Sequence, residues 1–251
     1  MLKAVLFDLD DTLIDWSGFH GDWARMERQH LHNVVDYIRA NVHPLNDLDA
    51  YATEFRMRTM DAWTAARTSL RAPNLGTVLV ETAVALGVPA DKLDARRLLE
   101  VYAWNAVPGT RMFPDVPGAL MQLHRRRIKV GIITNAYQPM WIREVEMASH
   151  GILQHFPECR ISAADVGYLK PHPTIFQAAL NCLDVKPNEA VFVGDDPDAD
   201  VNGAEAAGLY AVLRYAPGHE SEIEPSIAQD ARITSLVQLL PILDRWFPGW
   251  R

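Results

Sequence analysis

Short apolar runs that end in polar residues alternate with stretches of helical pattern along most of this chain. The runs cover residues 3–8, 129–135, 189–195 and 210–215, with 158–162 and the edge segment 231–235 as further candidates. Runs of this length, rich in Val and Ile, are typical of parallel strands buried on both faces. Helices are predicted at 117–127, 137–149, 173–183, 200–207 and 235–246. This alternation predicts an α/β fold with a doubly wound, mostly parallel, Rossmann-like sheet.

The gap between the first two predicted strands is far longer than a simple crossover requires. Its pattern is helical, with apolar stripes that start near Phe19, Leu48 and Leu75, the last closed by Gly87, and a fourth helix over 91–104. We therefore predict an all-helical domain over 16–108, inserted into an α/β core domain made of 1–15 and 109–251.

Charge and composition favour a small-molecule partner. The 251 residues carry 24 Lys and Arg against 32 Asp and Glu, a formal charge of −8, which argues against a nucleic-acid or anionic membrane surface. Met1 leads directly into a strand and no apolar run is long enough to span a bilayer, so a cytoplasmic location is expected. Cys159 and Cys182 are expected to be free buried thiols. The oligomeric state cannot be read from the sequence.

The segment "FDLDDTL" (7–13) places Asp8, Asp10 and Asp11 directly after the first strand. Like charges so close together oppose one another unless a positive group lies among them. This crowding predicts a divalent cation and a phosphate at the end of the strand.

Other polar residues are expected at the same edge of the sheet. Thr134 ends the second strand, Asp195 ends the fourth, and Lys170 lies in the loop "YLKPHP" that follows the third. Ligands of open parallel sheets collect at the carboxyl ends of the strands, so these side chains should face one another.

Such a set of residues suits phosphoryl transfer, in which catalysis is mostly positioning and charge neutralisation. Asp8 is the candidate nucleophile and Asp10 the candidate acid and base. Asp8, the Asp10 carbonyl and Asp195 are the candidate Mg²⁺ ligands. Thr134, backbone N–H groups beside it such as that of Asn135, and Lys170 are the candidate phosphate-binding groups.

The segments "FDLDDTL", "IITN", "LKPHP" and "VFVGDDPDAD" resemble, in order, the four motifs of the haloacid dehalogenase (HAD) superfamily. The resemblance implies the same roles for Asp8, Asp10, Thr134, Lys170 and Asp195. It also implies that Asp196 or Asp200 supports the metal, and that the helical insertion is a cap that closes over the substrate.

Asp10 separates two chemistries within this superfamily. Its dehalogenases lack a carboxylate at this position because a halide leaves without a proton, whereas an alkoxide leaving phosphorus needs one. The sequence therefore predicts a Mg²⁺-dependent phosphatase of a small phosphorylated metabolite that works through an aspartyl-phosphate.

Two other functions stay open at this stage. One is a phosphotransferase or sugar-phosphate mutase of the same family, in which a sugar hydroxyl replaces water. The other is a non-enzymatic phospho-aspartate signalling module, although such receivers carry the aspartate after a middle strand and lack a large helical insertion.

The aromatic residues of the insertion, Trp16, Phe19, Trp23 and Trp63, are most simply assigned to its core. Trp16, just beyond the catalytic loop, is the one for which a substrate contact is also considered.

Overall fold

The computed structural model describes residues 1–216 and 231–250. Its strands are β1 (Ala4–Phe7), β2 (Ile14–Asp15), β3 (Arg111–Met112), β4 (Lys129–Thr134), β5 (Cys159–Ser162), β6 (Ala190–Gly194), β7 (Tyr210–Arg214) and β8 (Arg232–Ile233). Six of them form one sheet in the order β5-β4-β1-β6-β7-β8, and every pairing in it is parallel. The predicted α/β class and parallel sheet are confirmed.

The central strand β1 is buried on both faces, as its continuous apolar sequence predicted. Val5 and Phe7 pack into one hydrophobic cluster, and Ala4 and Leu6 pack into a second cluster on the other side of the sheet. Because side chains of a strand alternate between its faces, a purely apolar strand requires helices on both sides. The sheet is therefore the middle layer of three.

The described helices are α1 (Trp23–Asn41), α2 (Leu48–Ser69), α3 (Leu75–Ala85), α4 (Ala95–Tyr102), α5 (Val116–Arg125), α6 (Met140–Ser149), α7 (Ala163–Val166), α8 (Pro173–Leu183), α9 (Gly203–Ala206) and α10 (Leu239–Trp246). The predicted helix 200–207 differs most, because its start is a π-helical segment, Pro197–Asn202, that continues into α9. The last predicted helix begins with a 3₁₀ turn over Leu236–Gln238. Residues 217–230 and 251 of the predicted core domain lie outside the described residues.

Strand register brings three strand ends to one level. Phe7, the last residue of β1, lies opposite Ile132 of β4 and Val193 of β6. The Asp8 N–H continues the ladder by donating to the Val193 carbonyl oxygen at 2.9 Å. The residues that follow β1 and β6, and the end of β4, therefore share one rim of the sheet.

Helices α1 to α4 all lie between β2 and β3 and share a hydrophobic cluster that includes Phe55, Leu79 and Tyr102. Each of the four begins at an Asp or Asn whose side chain accepts a backbone N–H of the first turn. Gly87, predicted to close the third helix, has a positive φ of 88° just beyond α3. The division into a core and an inserted cap domain at 16 and 108 stays a prediction.

The chain passes between the sheet and the four helices at two adjacent points. There β2 and β3 pair antiparallel, with Ile14 opposite Met112 and Asp15 opposite Arg111. Beyond this pair Gly109, at φ 90°, packs on Gly18 so closely that a Cβ on Gly109 would lie 2.2 Å from the Gly18 carbonyl oxygen. The two crossings are thus held together by backbone contact.

The structure can be compared with two further expectations, on the cysteines and on membrane-spanning helices. Cys159 is buried as predicted, but the prediction for Cys182 was wrong, because its side chain lies on the exposed side of α8. Among the described residues, no helix is both long and apolar enough to cross a membrane.

Candidate active site

The predicted site residues converge on one cavity of about 390 Å³ at the carboxyl ends of the strands. Asp8 directly follows β1, Thr134 ends β4 and Asp195 directly follows β6, as the sequence predicted. The lining includes all of the predicted site residues, namely Asp8, Asp10, Thr134, Asn135, Lys170, Asp195, Asp196 and Asp200.

Lys170 lies between two buried carboxylates. Its Nζ is 2.5 Å from Asp8 Oδ1 and 2.6 Å from Asp200 Oδ1, and all three side chains are almost fully buried. Asn135 holds the lysine loop, because its Nδ2 donates to the Lys170 carbonyl oxygen at 3.1 Å and its Oδ1 accepts the Lys170 N–H at 2.7 Å. The Asn135 side chain is therefore occupied by the lysine loop, and a phosphate contact there is left to backbone groups.

The protonation of this cluster is set by burial and by its own charges. Burial raises the pKa of the Asp8 carboxyl well above its usual range, Lys170 opposes the rise, and Asp200 and Asp195 add to it. Burial, as the larger cause, and the charge of Asp200, as the next, raise the pKa of Asp195 to about 7. Burial disfavours the charge on Lys170, but Asp200 and Asp8 outweigh it and raise the pKa of its ammonium. The carboxylates thus outnumber the positive charge available to them.

Asp8, Asp195 and Asp200 have the geometry of a cation site. They each offer one carboxylate oxygen, and these atoms lie within 4.8 Å of one another. In an octahedron with bonds of about 2.1 Å, ligand oxygens lie about 3 to 4 Å apart, so small movements would fit the three oxygens to Mg²⁺. The raised pKa values of Asp8 and Asp195 agree with carboxylates that need a cation to stay ionised together.

The composition of the acidic cluster differs from that of the predicted metal ligands in one respect. Asp200, predicted only as support, joins Asp8 and Asp195 in the cluster. Asp196 is exposed and its carboxylate instead accepts the Asp198 and Ala199 N–H groups at the start of the π-helical segment. The Asp10 carboxylate lies outside the acidic cluster, which leaves the Asp10 carbonyl as its only predicted metal contact.

Gly194, the last residue of β6, gives Asp200 room to reach the cluster. A Cβ at this position would lie 2.1 Å from Asp200 Oδ2. The same Oδ2 accepts the Asp196 N–H at 3.1 Å, which fixes the carboxylate over the glycine. A side chain at residue 194 is therefore incompatible with the observed position of Asp200.

The predicted acid and base, Asp10, is held by two donors. Arg143 Nη2 donates to both carboxylate oxygens, at 2.7 and 2.9 Å, and Trp16 Nε1 donates to Oδ1 at 2.9 Å. Arg143 is buried and also pairs through Nη1 with the fully buried Glu146 at 3.3 Å. Glu146 in turn accepts the Trp104 indole N–H at 3.1 Å.

This polar network connects the sheet domain to both crossings. Trp16 follows β2, at the passage into the helical insertion, and Trp104 follows α4, at the passage back. Trp16 donates its indole N–H to the Asp10 carboxylate, and Trp104 donates its indole N–H to the Glu146 carboxylate. The position of Asp10 thus depends on both points at which the insertion joins the core.

The assignment of the aromatic residues to the core of the insertion was wrong for Trp23, whereas Trp16 and Trp63 pack against the cluster of the insertion as predicted and also line the cavity. Trp16, Trp23 and Trp63 line the cavity together with Trp104, and Trp23 is 39% exposed. Phe19 stays with the packed cluster of the insertion, as predicted. The substrate contact considered for Trp16 agrees with its place in the lining.

Sequence reasoning missed Arg143, Glu146 and Trp104. A charged pair three residues apart on a helix is ordinarily a solvated surface pair. One signal was present, because Met140, Arg143 and Met147 are spaced so as to share a helix face, and that face of α6 is buried. A charged residue on an apolar face is informative because burial of a charge requires a partner.

Comparisons with known proteins agree with this fold. A family model for haloacid dehalogenase-like hydrolases matches residues 2–208. The chain is 35% identical over 252 residues to a phosphoserine phosphatase of Thermus thermophilus, covering 94% of this chain and 96% of the relative. It is 30% identical over 227 residues to a glyceraldehyde 3-phosphate phosphatase of Methanopyrus kandleri, covering 90% and 88%.

A solved structure shows the same architecture. The crystal structure of a HAD phosphatase from Thermococcus onnurineus superposes with a TM-score of 0.62 at 25% sequence identity, covering 96% of this chain and 98% of that one. A parallel sheet with acidic residues and a lysine at its carboxyl rim, and a helical insertion between β2 and β3, suits an enzyme of phosphoryl transfer. The chain belongs to the haloacid dehalogenase-like hydrolase family, and the relatives compared above are phosphatases.

Proposed function

We propose that this protein is a Mg²⁺-dependent phosphatase that hydrolyses a small phosphorylated metabolite through an aspartyl-phosphate on Asp8. The observation that carries the proposal is the set of charges around Asp8. Its buried carboxylate is 2.5 Å from the Lys170 ammonium and shares a three-carboxylate cluster with Asp195 and Asp200. A nucleophile, a fixed cation and a metal site at one point are the requirements of phosphoryl transfer.

Each residue has a defined part in this chemistry. An Asp8 oxygen attacks phosphorus, and Asp10 gives its proton to the leaving oxygen of the alcohol. Asp10 then takes a proton from the water that hydrolyses the aspartyl-phosphate. The Thr134 hydroxyl and the Lys170 ammonium hold phosphoryl oxygens.

The residues that would hold Mg²⁺ are Asp8, Asp195, Asp200 and the carbonyl of Asp10. When bound, the ion would neutralise the negative charge of the carboxylates and of the phosphoryl group. Without such neutralisation an anionic nucleophile would have to approach an anionic phosphate in a buried site, which electrostatic repulsion opposes.

The named activities of the relatives support the reaction class. Proteins that share 30% and 35% identity with this chain act, by their names, on glyceraldehyde 3-phosphate and phosphoserine. Both are phosphate monoesters of small alcohols, and the two alcohols are different. We therefore propose that the substrate of this protein is a phosphate monoester, and we infer the identity of its alcohol group from the cavity.

The experiment is phosphate release from p-nitrophenyl phosphate by purified protein, with Mg²⁺ and with EDTA. We expect turnover only with Mg²⁺, and its loss in Asp8→Asn with an unchanged circular dichroism spectrum. Asp198→Asn is the matched control, since Asp198 is an exposed acid of the π-helical segment after β6 and its carboxylate accepts the Asn202 amide N–H. Full activity of Asp8→Asn would disprove the aspartyl-phosphate, and isomer formation from a sugar phosphate without phosphate release would assign a mutase instead.

A further inference from the structure

Every residue of the segment 16–108 that lines the cavity is a tryptophan. The set consists of Trp16, Trp23, Trp63 and Trp104. The helical insertion therefore contributes aromatic surface to the site and no hydroxyl, amide, carboxylate or ammonium side chain. The part of the substrate that lies against the insertion meets indole rings.

The rings form concave walls instead of a flat stack. The Trp23 ring is 6.4 Å from that of Trp16 and 6.0 Å from that of Trp104, with interplanar angles of 48° and 57°. The Trp63 ring lies 6.2 Å from that of Tyr137, another residue of the lining, at 56°. Tilted rings of this kind leave ring faces and edges available to a further planar group.

The polar atoms of two of these tryptophans are already committed. Trp16 Nε1 donates to Asp10 and Trp104 Nε1 donates to Glu146. A sugar, glycerol or amino-acid group against these two rings would lose hydrogen bonds to water and gain none from their indole N–H groups. Unmet buried hydrogen bonds are costly, so such groups are disfavoured against Trp16 and Trp104.

An organic cation is the other ligand that aromatic surfaces attract. The carboxylates bonded to these tryptophans, however, are Asp10 and Glu146, and both pair with Arg143. The charges of these two carboxylates are therefore already offset by Arg143, and they add little to the attraction of the rings for a cation. An uncharged ring gains from the surface without needing such a partner.

We propose that the alcohol part of the substrate is a planar apolar group, an aromatic ring, held between the tryptophans while its phosphate lies at Asp8. The proposal rests on the proposed phosphatase function and names its substrate class. The reaction is that already described: the ester oxygen leaves phosphorus with a proton from Asp10, and water completes the hydrolysis to an aromatic alcohol and inorganic phosphate. The cavity, about 390 Å³, is large enough for a single ring with its phosphate.

The test is a panel of four esters of primary alcohols, so that the leaving oxygens are chemically similar. Benzyl phosphate carries a ring, glycerol 1-phosphate a polyol, phosphoserine a zwitterion and phosphocholine a cation. With Mg²⁺ present, we expect kcat/KM for benzyl phosphate to exceed that for each of the others by about tenfold or more, since a tenfold preference needs only about 1.4 kcal/mol.

Variants then locate the preference. Trp23 is partly exposed at the start of α1, so Trp23→Ala is expected to fold. It should raise KM for benzyl phosphate several-fold and lower kcat/KM for benzyl phosphate by a larger factor than kcat/KM for glycerol 1-phosphate, and Trp63→Leu should do the same. Trp246→Ala is the matched control, because Trp246 packs on Tyr210 at the amino end of β7, at the other end of the sheet.

The possible failures are distinguishable. If none of the four esters and no aryl phosphate is hydrolysed, the phosphatase function itself fails. If glycerol 1-phosphate or phosphoserine is preferred, or all four are equal, the phosphatase stands and the aromatic substrate class is overturned. A preference for phosphocholine that Trp23→Ala removes would overturn it in favour of a cation cage.

Discussion

Arg143 donates to both carboxylate oxygens of Asp10 through a single nitrogen. Its Nη2 lies 2.7 Å from one oxygen and 2.9 Å from the other. The arginine is buried and comes from α6, 133 residues further along the chain. Nη1 of the same guanidinium pairs with Glu146, so one cation serves two carboxylates. The position of the Asp10 carboxylate is thus set by a residue outside its own loop.

We expect Arg143→Lys to impair proton donation by Asp10. A lysine keeps the charge but not the planar set of donors that fixes the carboxylate. Proton donation matters most for poor leaving groups, so kcat should fall roughly 10²-fold for benzyl phosphate and much less for p-nitrophenyl phosphate. The measurement is kcat for both esters under saturating Mg²⁺.

A double-mutant cycle separates this role from general damage. If Arg143 acts through Asp10, then Asp10→Asn together with Arg143→Lys should be no slower than Asp10→Asn alone. Equal losses on both esters in Arg143→Lys, or fully additive losses in the double variant, would contradict a positioning role.

Mg²⁺ binding should weaken as the solution is acidified. The pKa of Asp195 is raised to about 7 in the metal-free protein, and that of Asp8 is raised as well, chiefly by burial in both cases. Because the ligand carboxylates must lose their protons to bind metal, the apparent Kd for Mg²⁺ should rise as pH falls below about 7. Isothermal titration calorimetry across this range measures the effect together with the protons released.

The raised pKa of Asp195 also affects how the stability of the metal-free protein depends on pH. Asp195 has a folded pKa near 7 and an unfolded value near 4, so between these values the folded state holds more protons than the unfolded state. The contribution of Asp195 to the free energy of unfolding should therefore decrease as pH rises through this window. Thermal unfolding in EDTA measures it as the difference in Tm between the wild type and Asp195→Asn, which should change in favour of the variant as pH rises, and added Mg²⁺ should raise the Tm of the wild type most at the upper end.

Gly194→Ala should damage the metal site more than the fold. The new Cβ would lie 2.1 Å from Asp200 Oδ2, so the carboxylate must leave its position beside Lys170. We expect Mg²⁺ affinity to fall about tenfold or more, as for loss of a group that orients a ligand. Gly118→Ala, in α5, is the matched control because nothing lies within 4 Å of its Cβ; calorimetric titration of both variants with Mg²⁺ decides, and equal affinities would remove the argument.

The sequence predicted those parts of the fold whose residues form a continuous local pattern of apolar and polar side chains. A short apolar run rich in Val and Ile, such as 129–135, is typical of a strand buried on both faces, and β4 covers Lys129–Thr134. The convergence of Asp8, Thr134 and Asp195 followed from one rule about the carboxyl ends of parallel strands. Such rules need no knowledge of side-chain contacts.

The rest depended on contacts that no local pattern encodes. Arg143 becomes part of the site only because α6 brings it against Asp10, and the default reading of Arg143 with Glu146 is a surface pair. Likewise Trp23 follows Phe19 at a helical spacing of four residues, which is typical of a core residue, yet it is partly exposed and lines the cavity. Packing between elements distant in sequence decided these cases.

The two crossings supply a last prediction, on Gly109. Gly109 and Gly87 have nearly the same left-handed φ, 90° and 88°, but a Cβ on Gly109 would lie 2.2 Å from the Gly18 carbonyl oxygen whereas nothing lies within 4 Å at Gly87. An alanine at either site meets the left-handed penalty of about 1–2 kcal/mol. Only Gly109→Ala must also push the two crossings apart, and we therefore expect it to lower the free energy of unfolding further and to disturb the Trp16–Asp10 bond. Urea unfolding of both variants, with kcat for benzyl phosphate, measures this difference, and equal destabilisation would show that the crossings tolerate separation.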